Sequence, residues 1–152
     1  MIVRNEQQAL CVAVEMERRA IRVYERALML AKDQQVKAGI REILADEKQH
    51  FSRFSAMKEK SPMAEQDERM LTQAMASDML YPGGVMELER AQGLDTIKGL
   101  YTYAAESEQD AVDKYMSFAE KCADPAVAEA FTSIAVEEAS HLTELRRKLE
   151  QL

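Results

Sequence analysis

The sequence has little of what a disulfide-stabilised, exported or membrane-spanning chain needs. Its two cysteines, Cys11 and Cys122, are too few and too far apart for a Cys-x-x-Cys site, a disulfide framework or an iron centre held by four cysteines. No apolar run is long enough to cross a bilayer, and the first residues lack the basic segment and apolar core of a signal peptide. We therefore expect a cytoplasmic protein.

Glycine, proline and excess positive charge are also scarce. Five glycines and three prolines among 152 residues leave long stretches of good helix formers, which favours an all-α fold in a single domain spanning 1–152. The formal net charge of −7 argues against nucleic acid or an anionic membrane as a partner, because both attract a basic surface.

The chain contains an internal repeat. Residues 14–54 shifted by 91 positions align with 105–145 without a gap, and nine aligned pairs are identical. Both histidines of the protein are matched in this way, and most of the other matched core positions stay apolar. A duplicated helical hairpin that kept its core and one polar site has this appearance.

Four apolar stripes with alternating spacings of three and four residues predict four long helices in two hairpins. We expect the first hairpin over about 6–60, with a turn at Asp33, and the second over about 94–150. In the second turn, Asp124 is expected to cap the helix that Pro125 begins. Residues 61–93 are too long for a tight turn, so we expect a crossover along the outside of the bundle. Within it, residues 63–80 could form a helix, and Tyr81-Pro82-Gly83-Gly84 predicts a turn.

Glutamate interrupts every apolar stripe, and histidine interrupts two of them again three residues later. The six residues are Glu17, Glu47, His50, Glu108, Glu138 and His141. An unpaired carboxylate in a bundle core costs several kcal/mol or becomes protonated, so a compensating partner is expected. Each glutamate lies fifteen residues from its turn, roughly 22 Å along a helix, so the four carboxylates of two aligned hairpins meet at one level.

Such a cluster predicts a dinuclear metal centre. Two divalent cations would neutralise four carboxylates, and neutral imidazoles would add nitrogen ligands, a set suited to iron or manganese and possible for zinc or cobalt. A glutamate from each of two helices and a Glu-x-x-His from each of the other two is the ligand set of ferritin-like di-iron and di-manganese bundles.

The sequence resembles the rubrerythrin branch of the ferritin-like superfamily. The resemblance lies in the stretches VEMERRAIRVYERAL, LADEKQHFSRF, AAESEQDAVDKYMSFA and VEEASHLTEL, about four fifths of the chain. It implies a ferritin-like four-helix bundle made of two duplicated αα-hairpins joined by a long crossover. It also implies that the six residues bind two iron ions, or manganese, zinc or a mixed pair, with Glu47 and Glu138 bridging and Glu17 and Glu108 terminal.

Two tyrosines, Tyr24 and Tyr115, each follow a terminal glutamate by seven residues. The resemblance places their hydroxyls behind the ligands, hydrogen-bonded to ligand carboxylates across the bundle. Taken alone, each is as readily a core aromatic with a polar tip. The acidic residues beside the ligands, Glu15, Asp46, Glu106 and Glu137, point off the stripes and are interpreted as surface charge.

The resemblance further implies a redox protein that reduces hydrogen peroxide or O₂ in a rubrerythrin-like manner, and a homodimer. Two features depart from that family. The usual rubredoxin-like domain is missing, so an external electron donor protein is expected. The extra glutamate near the third-helix ligand is also missing, since the positions three or four away hold Ala104, Ala105, Ala111 and Val112.

Two alternatives remain open. One is a ferroxidase or iron-storage protein, because bacterioferritin uses the same six ligand types. A large hollow assembly would identify such a protein. The other is a metal-free structural bundle. Metal bound in stoichiometric amount would contradict it. An organic substrate is possible on such a scaffold, but no feature of the sequence marks a pocket for one.

Overall fold

The computed structural model describes residues 3–78 and 96–152, and the side chains of all of these except 76–78. It confirms the all-helical prediction. The described residues form five helices: α1 (Glu6–Leu30), α2 (Gln34–Lys60), α3 (Glu65–Asp78), α4 (Ile97–Ala119) and α5 (Pro125–Glu150). Helices α1, α2, α4 and α5 form the bundle, so a ferritin-like four-helix bundle describes the fold.

The first hairpin consists of α1 and α2, packed along their lengths. Asn5 begins α1 by accepting a hydrogen bond from the backbone N–H of Gln8. Ala31 ends that helix in extended conformation, and the side chain of Asp33 then accepts from the N–H groups of Gln35 and Val36. A capping residue stands at the start of each helix, Asn5 for α1 and Asp33 for α2. The turn between the helices is therefore short, and α2 runs back beside α1.

The second hairpin follows the same design. Thr96 caps α4 through the N–H of Gly99, and α4 packs against α5. Asp124 accepts from the N–H of Ala126, and Pro125 occupies the first turn of α5. The cap and the proline stand where the sequence predicted them. Proline is tolerated at this position because the N–H group that it lacks would have no partner at the start of a helix.

Helix α3 lies within the segment predicted as a crossover, and it packs against α1. Its apolar side chains Leu71 and Met75 are buried in the core. A helix was predicted here from residues 63–80; the observed helix begins at Glu65, two residues later, and is described as far as Asp78. The turn expected at residues 81–84 lies outside the described part of the chain.

The core consists of two apolar clusters stacked along the bundle axis, with the polar cluster between them. One contains Leu10, Phe54, Tyr115 and Phe131 among others, with aromatic ring centroids 4.9–5.6 Å apart. The other contains Tyr24, Ile40, Ile43, Leu100 and Leu145 among others. The predicted stripes supply most of these residues, which is why the glutamates on the same stripes are carried into the interior. In the described part of the chain, no helix is long and apolar enough to cross a membrane.

Candidate metal centre

The six predicted ligands all lie in the core of the bundle. Glu17 is on α1, Glu108 is on α4, and the two Glu-x-x-His pairs are on α2 and α5. Each of the six side chains is at most 6% exposed, and among the described residues they make up the whole set of buried polar and charged side chains. The interior of the described bundle is therefore apolar except at one place.

These side chains form two overlapping groups. One is Glu17, Glu47, His50 and Glu138, and the other is Glu108, Glu138, His141 and Glu47; within each group, one donor atom per residue lies within 4.8 Å of all the others. Glu47 and Glu138 belong to both groups. The 91-residue shift of the repeat converts one group into the other, so the site has the pseudo-twofold symmetry of the two hairpins.

The imidazole Nδ1 atoms point at carboxylates from the other hairpin. His50 Nδ1 lies 2.6 Å from a Glu138 oxygen, and His141 Nδ1 lies 3.0 Å from a Glu47 oxygen. His50 Nδ1 is also 3.8 Å from Glu17, and His141 Nδ1 is 3.5 Å from Glu108. The two rings stack with centroids 6.1 Å apart. Nitrogen and oxygen donors from all four helices thus surround one small volume.

Among the described residues, the carboxylate oxygens and imidazole nitrogens that face this volume have no hydrogen-bond partner. They include one oxygen each of Glu17, Glu108 and Glu138, both oxygens of Glu47, and Nδ1 of both histidines. A buried polar atom without a partner costs about 1–3 kcal/mol, and more when it is charged. A cluster of buried oxygen and nitrogen atoms without hydrogen-bond partners is suited to bind metal ions that take carboxylate and imidazole ligands.

Burial shifts the acid–base equilibria of three of these carboxylates toward the protonated form. Burial, followed by the Glu108 charge, raises the pKa of Glu47 and of Glu138 well above the ordinary range. Burial raises the pKa of Glu17 to about 7. In so dry a place, ionisation of Glu17, Glu47 and Glu138 is disfavoured unless a cation neutralises the charge.

The two histidines respond differently to their surroundings. Burial lowers the pKa of His50. Burial also acts to lower the pKa of His141, but hydrogen bonding to Glu108 and Asp46 outweighs it and raises that pKa to about 8.

The two tyrosines join the hairpins behind the cluster. The Tyr24 hydroxyl donates to Glu108 over 2.6 Å, and the Tyr115 hydroxyl donates to Glu17 over 2.8 Å. Both rings are buried, and burial raises the pKa of both hydroxyls well above 10, so they are donors at any physiological pH. Each bond uses one carboxylate oxygen and leaves the second without a hydrogen-bond partner among the described residues. The contacts are those that the resemblance implied for these two residues.

Two acidic residues interpreted from the sequence as surface charge also touch the site. His50 Nε2 lies 3.1 Å from Glu137, and His141 Nε2 lies 3.0 Å from Asp46. An ionised carboxylate only accepts, so each Nε2 carries a proton, and in the neutral imidazole that a metal ion binds each Nδ1 then presents its lone pair inward. The two carboxylates are 46% and 45% exposed. Surface charge is therefore an incomplete description of them.

A signal for these two residues was present in the sequence. Asp46 and Glu137 are aligned by the 91-residue shift, and each directly precedes the glutamate of a Glu-x-x-His. Of the other two acidic neighbours, Glu15 is half-buried and pairs with Arg18 and Arg19 on its own helix, and Glu106 is exposed.

Two linked carboxylate–histidine groups in the core of a four-helix bundle are the arrangement found in dinuclear-metal carboxylate proteins. The family model for the ferritin-like domain matches residues 5–151, and the chain belongs to that family. Comparison with curated proteins gives no match, and comparison with solved structures gives none either. The family agrees with the fold and with a site able to hold metal.

Proposed function

We propose that this chain is a non-haem di-iron carboxylate protein that reduces hydrogen peroxide or O₂ with electrons from an external donor protein. The observation that carries the proposal is the sharing of Glu47 and Glu138 by the two donor groups. Two carboxylates common to both groups suit two ions held side by side, and a pair of ions suits a two-electron reaction. The rubrerythrin-like character of the sequence supports the same reaction type.

The residues have distinct roles in this proposal. Glu47 and Glu138 would be shared between the two ions, Glu17 and Glu108 would each hold one ion, and His50 and His141 would bind through Nδ1. Tyr24, Tyr115, Asp46 and Glu137 hold these ligands in place through the hydrogen bonds described above. The apolar clusters above and below the site keep bulk water out, which strengthens the electrostatic attraction between the carboxylates and the cations.

The metal supplies the electron chemistry. When bound, an iron pair would supply the two electrons that, with two protons, reduce one hydrogen peroxide to two waters, and the donor protein would replace those electrons. The chain itself binds, orients and screens the pair. A homodimer with the donor docking on its surface completes the proposal.

Metal content per chain after anaerobic Fe(II) loading and desalting tests the proposal. About two irons are expected for the wild type and for Glu129→Gln, an exposed control on α5, and fewer for Glu138→Gln. Stopped-flow oxidation of the loaded protein by peroxide and by O₂, with an artificial donor present, then measures turnover.

Each alternative predicts a different outcome. A large assembly that accumulates ferric iron without consuming the donor would replace the redox proposal by iron storage. Failure of the wild type to retain any metal would leave a structural bundle.

A further inference from the structure

The internal repeat changes the sign of its charge on the long side of the bundle that α1 and α4 form. Apart from the candidate ligands Glu17 and Glu108, residues 15–26 of α1 carry four arginines and two glutamates, whereas the aligned residues 106–117 of α4 carry three acidic residues and one lysine. The alanine and tyrosine of the two segments are identical. Equivalent stretches of helix therefore present opposite net charge to the solvent.

Two charges on this side have no opposite charge beside them. Arg22 and Asp113 are aligned by the 91-residue shift, both are exposed, and each lies five residues after a candidate ligand, on the outward side of its helix. Their neighbours Arg18 and Lys114 pair with carboxylates of their own helices. Among the described residues, neither Arg22 nor Asp113 forms an ion pair.

The tyrosine hydrogen bonds show how the two segments lie. They join residue 24 to residue 108 and residue 115 to residue 17, so α1 and α4 are antiparallel and their levels along the bundle axis are fixed. On that scale Arg22 and Asp113 are about three residues apart, roughly 4.5 Å along the axis. Both charges thus lie near the middle of this side, on different helices.

A second copy of the chain can supply both missing opposite charges. A twofold axis parallel to the helices places α1 of each copy over α4 of the other at the same level, so that the arginine–aspartate contact occurs twice. A twofold axis across the helices would instead place α1 over α1 and set arginine against arginine. Ala20 and Ser107, which are small and half-buried on this side, leave room for the partner to approach.

We propose that α1 and α4 form the homodimer interface, with Arg22 paired to Asp113 of the partner subunit. The inference rests on the proposed function only in that it locates the homodimer named there, and it requires no metal chemistry. An acidic donor protein bound to the arginines of α1 is the competing occupant of this surface, and the experiment separates the two.

Sedimentation velocity of the 152-residue chain tests the proposal. The wild type is expected to be a dimer whose dissociation constant rises with salt concentration. Arg22→Asp and Asp113→Arg should each raise that constant by about tenfold or more, because each sets like charges together at two equivalent contacts. Arg41→Asp, at an exposed arginine on α2, is the control and should leave it unchanged.

A mixture of the two single variants is the sharpest test. The Arg22→Asp chain has lost the positive charge on α1, and the Asp113→Arg chain has lost the negative charge on α4. Each variant repels its own copies, but one heterodimer of the two satisfies both contacts. The equimolar mixture should therefore dimerise with nearly the wild-type dissociation constant, and so should a chain that carries both substitutions.

Several results would overturn the interface. A monomeric wild type is one, and single variants that remain dimeric are another. A mixture that stays monomeric is a third, and it would leave the arginines of α1 to a different partner.

Iron content and oxidation rate, measured on the same samples, keep the two proposals apart. A dimer that behaves as expected but oxidises no iron leaves the interface standing and overturns the redox function. A monomeric wild type that oxidises iron and consumes the donor does the reverse.

Discussion

The Tyr24 hydroxyl donates a 2.6 Å hydrogen bond to Glu108, which is 84 positions away in the other hairpin. Tyr115 returns the same contact to Glu17. Because each tyrosine reaches across to the partner hairpin, these bonds fix the alignment of the two hairpins as well as the orientation of two carboxylates. Fold and site are thus held by the same atoms.

Removal of one of these hydroxyls should cost stability. We expect Tyr24→Phe to lower the free energy of unfolding by about 1.5–3 kcal/mol at neutral pH, the usual range for a hydrogen bond to a charged group. Urea unfolding of the metal-loaded protein measures it. Tyr101→Phe is the matched control, because the buried Tyr101 hydroxyl has no hydrogen-bond partner in the part of the chain that the structure describes, and its loss should be neutral or stabilising. Equal costs for the two variants would contradict the role given to Tyr24.

The shared and unshared carboxylates should differ in metal stoichiometry. Glu47 belongs to both donor groups and Glu17 to one. We therefore expect Glu47→Gln to weaken both metal sites and Glu17→Gln to weaken mainly one, so that titration with Fe(II) or Co(II) shows about zero and about one tight ion per chain. A loss of the same single ion in both variants would mean that Glu47 does not bridge.

Much of this arrangement was predictable from local rules. The stripe carrying Ile43, Glu47 and Phe54 specifies a buried helix face, and a glutamate on that face must be buried with it. The cap at Asp124 and the start at Pro125 follow from backbone geometry alone. The equal distance of the glutamates from their turns then places four carboxylates at one level.

What the sequence did not reveal depends on how the hairpins rotate against one another. Asp46 and Glu137 leave their own helices pointing away from the apolar stripe, and only the packing of α2 beside α5 brings each one to the histidine of the other hairpin. The pocket between α1 and α4, which Glu17 and Glu108 line, likewise depends on the spacing between two helices, which the residues on one helix do not determine.

The carboxylates behind the histidines should matter for metal affinity despite their exposure. We expect Asp46→Asn to weaken metal binding by about 10–100-fold, because the neutral amide no longer polarises the His141 ring or fixes its tautomer. Competition with a chelator measures the affinity. Glu42→Gln, an exposed residue one turn earlier on α2, is the control for the loss of one surface charge. Indistinguishable affinities of the two variants would return Asp46 to the role of surface charge.

The metal-free protein should become less stable as the pH rises from 5 to 7. Burial raises the pKa of Glu17 from an ordinary 4.5 to about 7, so the folded chain holds a proton that the unfolded chain has released in this range. Stability falls with pH wherever the folded state binds more protons, and Glu17 alone accounts for about 2 kcal/mol between these limits. Glu47 and Glu138 act in the same direction.

The histidines modify this trend without reversing it. The pKa of His141, raised to about 8, adds stability that is fully present below pH 6.5 and is lost as the pH rises through 8. The lowered pKa of His50 has the opposite effect, because it reduces the stability of the folded chain as the pH falls below 6.5. Between pH 5 and 7, three carboxylates therefore lower the stability as the pH rises, and His50 alone raises it. Urea midpoints of the metal-free protein at several pH values in that range provide the measurement.

Metal should reverse the slope, because cations bind the deprotonated carboxylates and so favour high pH. Glu17→Gln separates the two effects. Glutamine at this position cannot ionise, so the metal-free variant should be more stable than the wild type at pH 7, with a flatter pH dependence, while it binds metal less tightly. A metal-free wild type whose stability rises between pH 5 and 7 would show that these carboxylates are ionised in the folded chain, and the cost of their burial would then have to be offset by something other than a bound cation.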